Sequence, residues 1–91
     1  MKIDIELVED DLFNVTVFSK IRSTHFVTLS DEYADRLVFG KITKDKLIRF
    51  SFEFLLEREP NTSILNSFDL QEITHYFPEF RSYVKNWIQS L

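Results

Sequence analysis

The chain contains no cysteine, one glycine and two prolines. Without cysteine it has no disulfide scaffold, no thiolate metal site and no cysteine nucleophile, and it suits a reducing cytoplasm. A lone Gly40 cannot build a glycine-rich phosphate loop, and no serine sits in a nucleophile elbow. No apolar run approaches the ~20 residues that span a bilayer. The opening MKIDIELVEDD is acidic and alternating, unlike a signal peptide. Only two histidines occur, His25 and His75, in different elements and without His-x-x-x-His spacing. A zinc site would need further ligands meeting them in space, so both read as structural or surface groups. Neither a metal nor a cofactor is expected, and membrane association is not expected either.

What the chain does have is aromatic bulk and charge. Its 91 residues make one domain, 1–91, with a β-rich part over 1–29 and a helical part over 30–91. A chain of this length buries only about 60–65% of its unfolded surface. Ten phenylalanines suit that need, because each aromatic side chain removes about 150–250 Å² from water. The net charge of −4 is unevenly spread. Residues 1–19 carry −4, residues 20–50 carry +3 and residues 51–91 carry −3. A basic centre between acidic ends suits either an anionic partner or mutual complementarity within the chain, and the second is the simpler reading.

Taken in order, residues 2–8 alternate Ile3, Ile5 and Leu7 with Lys2, Asp4 and Glu6, the pattern of a half-buried strand. Residues 12–19 repeat it with Phe13, Val15 and Val17, and residues 24–29 with His25, Val27 and Leu29. The first two strands form a hairpin although no Asn-Gly or Asp-Gly turn joins them. Ser30 caps a helix over 31–39, and Gly40 supplies the left-handed residue that closes it. Thr43 caps the longest helix, 44–59, which Pro60 stops. Leu47, Ile48, Phe50, Phe52, Phe54, Leu55 and Leu56 make this helix apolar over most of its circumference, and such a helix is buried. Ser63 caps a short turn holding Ile64 and Leu65. Asp69 and Glu72 fit a capping box that starts a helix through Leu70, Ile73, Tyr76 and Phe77. Pro78 ends it. Phe80, Val84, Trp87, Ile88 and Leu91 then recur at helical spacing. The fold class expected is α+β: an N-terminal antiparallel hairpin or three-stranded sheet, followed by about four helices around a buried central helix.

Two resemblances follow from these residues. The segment GKITKDKLIRFSFEFLL, with Gly40, Thr43, Leu47, Ile48, Arg49 and Ser51, resembles the second half of a ribbon-helix-helix module. That likeness implies a strand ribbon shared by two chains, entering the DNA major groove, with the second helix cap on a phosphate. It would assign nucleic-acid contacts to Arg22, Thr24, Thr28, Lys41, Thr43, Lys44 and Lys46, in a regulator or antitoxin. The outward residues Thr24, Phe26 and Thr28 are poor in groups that read base edges, and the acidic chain disfavours DNA. The stretch Ser51–Phe80 is similar to an uncharacterised family of small bacterial proteins carrying FEFLLEREPNTSIL, then SFDL, then YFPE. This second likeness implies a bacterial cytoplasmic protein.

Glu53, Glu57 and Glu59 with Arg58 read as a solvated helix face rather than acid/base machinery. Arg58 to Asn66 groups polar residues that serve first as caps and turn bonds. Tyr76, Phe77, Phe80, Tyr83 and Trp87 read first as core, and any left exposed would mark a partner surface, with Tyr76, Phe80, Tyr83 and Trp87 its candidates. The function expected is a non-enzymatic interaction or regulatory module that forms a homo-oligomer, a dimer in the simplest case, or binds a protein partner. DNA binding is the alternative.

Overall fold

A computed structural model describes all residues, 1–91. Three alternating segments form β1 (Lys2–Glu9), β2 (Leu12–Phe18) and β3 (Ser23–Thr28), paired antiparallel with Ile5 opposite Val15 and Val15 opposite His25. The β1–β2 turn needs no glycine because Asp10 takes the left-handed conformation, φ 40°, which Asp tolerates better than most residues. Ile3, Phe13, Val15, Val17, His25 and Val27 are buried on one face. The helices cover that face, while the other carries Asp4, Glu6, Thr24, Phe26 and Thr28 into solvent.

The sheet has a fourth strand. β4 (Ser67–Asp69) lies parallel to β3, with Val27 opposite Phe68, and the order is β1-β2-β3-β4. Three residues with one buried side chain give no readable period, so the sequence shows a three-stranded sheet at most. β3 is therefore paired along both edges.

Between strands and helices the local signals hold with small shifts. Ser30 Oγ accepts from the Tyr33 N–H at 3.1 Å and starts α1 (Asp31–Val38). The helix ends one residue earlier than expected, because Phe39 turns left-handed (φ 52°) before Gly40 (φ 71°). The glycine adopts its conformation freely, whereas the left-handed phenylalanine stores about 1–2 kcal/mol. Thr43 stands at the N-cap of α2 (Lys44–Leu56), but its side chain makes no capping bond. The helix stops at Leu56, short of Glu59, and Arg58 Nη1 donates to the Phe54 carbonyl at 2.9 Å, satisfying one orphan acceptor of the last turn. The Asp69–Glu72 capping box is present: Asp69 N–H donates to Glu72 Oε2 at 2.9 Å, and Gln71 N–H donates to Asp69 Oδ1 at 3.1 Å. It opens a 3₁₀ turn, Leu70–Glu72, and then a single α-turn, α3 (Ile73–Tyr76), rather than one helix. α4 (Phe80–Gln89) follows Pro78.

The core centres on α2, whose Leu47, Ile48 and Phe52 are inaccessible to solvent. Ser51 is equally buried and returns its hydroxyl to the Leu47 carbonyl at 2.7 Å. Against α4 the packing is aromatic. Phe50 stacks on Trp87 at 4.3 Å, and Phe54 meets Phe80 and Tyr83 edge-on at 5.1 and 5.2 Å.

One buried polar chain ties the return segment to the sheet. Asn61 Nδ2 donates to the Ile21 carbonyl at 2.7 Å and to Ser23 Oγ at 2.8 Å. Ser23 Oγ lies 2.8 Å from His25 Nε2, and His25 Nδ1 lies 2.7 Å from the Leu65 carbonyl. A carbonyl only accepts, so Nδ1–H donates to it and Nε2 accepts a hydrogen bond from the Ser23 hydroxyl. At the other end of the helical layer, Lys44 Nζ bonds Asp11 Oδ1 at 2.8 Å and Asp31 Oδ1 at 2.6 Å, joining the β1–β2 turn, α1 and α2.

Removing the amide in Asn61→Ala leaves the Ile21 carbonyl without its donor and takes one of the Ser23 hydroxyl's two partners, and chemical denaturation should show a loss of about 0.5–1.5 kcal/mol. An unchanged midpoint would refute the anchoring role. Burial lowers the Lys44 pKa, but the Asp11 and Asp31 bonds outweigh it and the net shift is upward. Stability from this group is thus full below the ordinary lysine value of 10.5 and is lost as pH rises through the folded value. Lys44→Met should cost at most about 1 kcal/mol at pH 7 and shallow the alkaline decline in thermal midpoint. Tyr33, whose pKa burial also raises, contributes with the same sign, so the decline shrinks without vanishing.

Candidate functional site: an apolar groove beside β4

The segment after Pro60 runs along β3 and returns through β4, α3 and Pro78, leaving a groove of about 300 Å³ against the end of α2. Leu55, Ile64, Phe68 and Ile73 form its buried floor, and Leu65, Tyr76 and Phe77 its rim. Leu65 and Tyr76 are held outward for local reasons, while Phe77 is half-buried, its ring edge-on to Phe54 at 5.9 Å. Leu65 follows Ile64, which is buried, and its own carbonyl is fixed by His25, so its side chain faces solvent. α3 is one turn long and buries only Ile73, which leaves Tyr76 on the open side, 65% exposed. Phe77 has left the helical conformation (φ −133°, ψ 84°), in line with the bias against it in a residue before proline.

Three polar residues touch the groove: Glu59, Ser63 and Glu72. Glu72 is committed to the capping box. Glu59 makes no salt bridge, so the rim carries negative charge with no internal cation. Arg58, its neighbour, is directed elsewhere. Its guanidinium lies 3.5 Å above the Phe54 ring and 4.8 Å from Tyr83, and its Nε approaches Glu79 at 3.4 Å.

The aromatic residues singled out from the sequence separate. Tyr76 and Tyr83 are exposed. Phe80 is completely buried and leaves the partner surface, because α4 turns it onto Phe54. Trp87 is half-buried under Phe50. Phe77, half-buried with its ring edge-on to Phe54 at 5.9 Å, and Leu65, which lies outside that aromatic set, complete the patch. The only sequence signal for Leu65 is its position in a loop after a turn.

The nucleic-acid set also disperses. Thr24 and Thr28 lie on the open sheet face, and Arg22 precedes them in the exposed β2–β3 link. Lys46 is exposed on α2 and Thr43 stands at its start. Lys44 is bound to two aspartates, and Lys41 lines a different groove, between α1 and α4. With β4 on one side of β3 and β2 on the other, β3 offers no free edge for a ribbon with a second chain.

Ser23 and His25 have the spacing of a nucleophile and its base, with the Leu65 carbonyl in the orienting position. The histidine is fully buried, however, and neither residue lines any of the three principal grooves. Asn61 holds the serine oxygen as acceptor. The arrangement fits a structural clamp. His75 and the carboxylates Glu53 and Glu57 are exposed and separate from it.

Compared with family models, with curated proteins and with solved structures, the chain matches none.

Proposed function

We propose that the protein is a non-enzymatic interaction module, in a bacterial cytoplasm, that self-associates through the apolar groove. The observation that carries this reading is Tyr76. It stands 65% exposed on the rim of an apolar cavity of about 300 Å³, a volume that suits one large aromatic side chain. A groove with an exposed aromatic beside it is self-complementary under a two-fold axis, since each copy offers both plug and socket. Tyrosine anchors are common centres of binding energy. Leu65 and Phe77 extend the apolar contact, and Tyr83 enlarges the exposed aromatic surface. A stable dimer needs roughly 800 Å² per partner, so the contact must spread beyond the cavity onto these neighbours.

The DNA-binding alternative has less support. Its cations are dispersed, and both edges of the strand that would form the ribbon are occupied.

Light scattering coupled to size exclusion should give twice the chain mass at micromolar concentrations. Tyr76→Ser should weaken the dimer by about tenfold or more, on the order of 1.4 kcal/mol or greater, without lowering the thermal midpoint of the monomer. A species that remains monomeric at millimolar concentration would sink the proposal.

A further inference from the structure

A second groove, between α1 and α4, has opposite character. Its volume is about 580 Å³, within the range of small-molecule sites. Arg36, Lys41, Arg81 and Lys85 line it, and no carboxylate does. Three elements bring these cations together: α1, the turn after it, and one face of α4. Arg81 and Lys85 stand four residues apart on that face, a like-charge pair that destabilises a helix unless an anion lies between them. Arg36 has a partner in Glu32, but Lys41, Arg81 and Lys85 make no salt bridge. In a chain of net charge −4, three cations gathered without counter-charge form a local positive field that attracts anions.

Two further features point to a ligand. The Tyr33 hydroxyl is buried and makes no well-formed hydrogen bond, with the Arg81 guanidinium beside it, although the residue lines this groove and is only 6% exposed. Buried polar groups without partners are uncommon. Burial raises its pKa, the charge and nearby donor group of Arg81 oppose that rise and the Asp69 charge adds to it, so Arg81 is the cation that reaches the phenol. Phe39 borders the same groove in the left-handed conformation, φ 52°, with the residue 75% exposed. Strained backbone of this kind collects at ligand sites, and an exposed phenyl ring is a stacking surface for planar bases. Leu37 and Ile88 give the groove an apolar wall between ring and cations.

We infer that the α1–α4 groove binds a nucleoside polyphosphate, its base on Phe39 and its phosphates among Lys41, Arg81 and Lys85. A planar body with several negative charges is what one exposed ring and three unpaired cations jointly recognise. Inorganic phosphate would meet only the cations, and a neutral nucleoside only the ring.

The test is an amide chemical-shift titration of the full chain at low salt with ADP, adenosine, inorganic phosphate and a short oligothymidylate. ADP should perturb Tyr33, Phe39, Lys41, Arg81 and Lys85 saturably, and adenosine and phosphate should each bind at least about tenfold more weakly. The Arg81→Gln/Lys85→Gln pair should weaken ADP by a further factor of about ten or more, with the thermal midpoint unchanged or raised by relief of the like-charge pair. Phe39→Asn tolerates the left-handed conformation, so the fold should be as stable or more so while ADP affinity falls severalfold and phosphate affinity stays the same. The inference is overturned if ADP shows no saturable shifts, if the charge or Phe39 variants bind it as the parent does, if phosphate alone binds as tightly as ADP, or if the oligonucleotide binds these residues and ADP does not. Tyr76→Ser should leave ADP binding unchanged, which separates this site from the self-association groove.

Discussion

The structure depends on a short chain of buried hydrogen bonds running from Asn61 through Ser23 and His25 to the Leu65 carbonyl. Every member has a partner, and the donors and acceptors admit one arrangement only. A fully satisfied polar network in a core specifies geometry, because any slip leaves a polar group unpaired in a medium that penalises it. Here the geometry specified is the path of residues 61–66 along β3. Phe26 N–H then donates to the Asn66 carbonyl at 2.8 Å, and β4 follows in parallel register. The fourth strand is too short to hold itself, so the polar chain upstream decides where it lies.

Closing the edge of β3 has consequences on both sides of the fold. The sheet keeps β1 as its long outer strand, and Lys2, Asp4, Glu6 and Glu9 place charge along it, a common defence against edge pairing. The return through β4 also turns Phe68 inward and leaves Leu65, Tyr76 and Phe77 around the apolar groove. α2 supplies the opposite wall. Its Phe54 holds Phe80, Tyr83 and Arg58 together at the seam with α4, so one core helix fixes the helical layer against which both grooves open.

The uneven charge of the chain is only partly internal complementarity. Lys44 joins the basic centre to Asp11 from the acidic N-terminal part, as mutual neutralisation requires. Lys41 instead meets Arg81 and Lys85 from the C-terminal part in a groove without acids. Bases distant in sequence are thus gathered rather than dispersed, and self-repulsion of that kind persists where binding an anion offsets it.

The sequence by itself determined what depends on near neighbours. Alternation in residues 2–28 set three strands and their buried faces, since a pleat has period two. Ser30, Gly40 and the Asp69–Glu72 pair marked helix ends, since caps act within one turn. The apolar circumference of 44–59 marked the buried helix, which ends three residues sooner at Leu56. Tertiary structure decided what depends on residues far apart in the chain. Phe39 took the left-handed place one step before the glycine that suits it, and Phe80 went inside while Tyr76 stayed out. β4 formed beside β3, and Asn61 met Ser23 while Leu65 met His25, each about 40 positions away. Lys41, Arg81 and Lys85 converged on one groove. Such pairings carry no local period, so the sequence holds their ingredients and only packing against a common core brings them together.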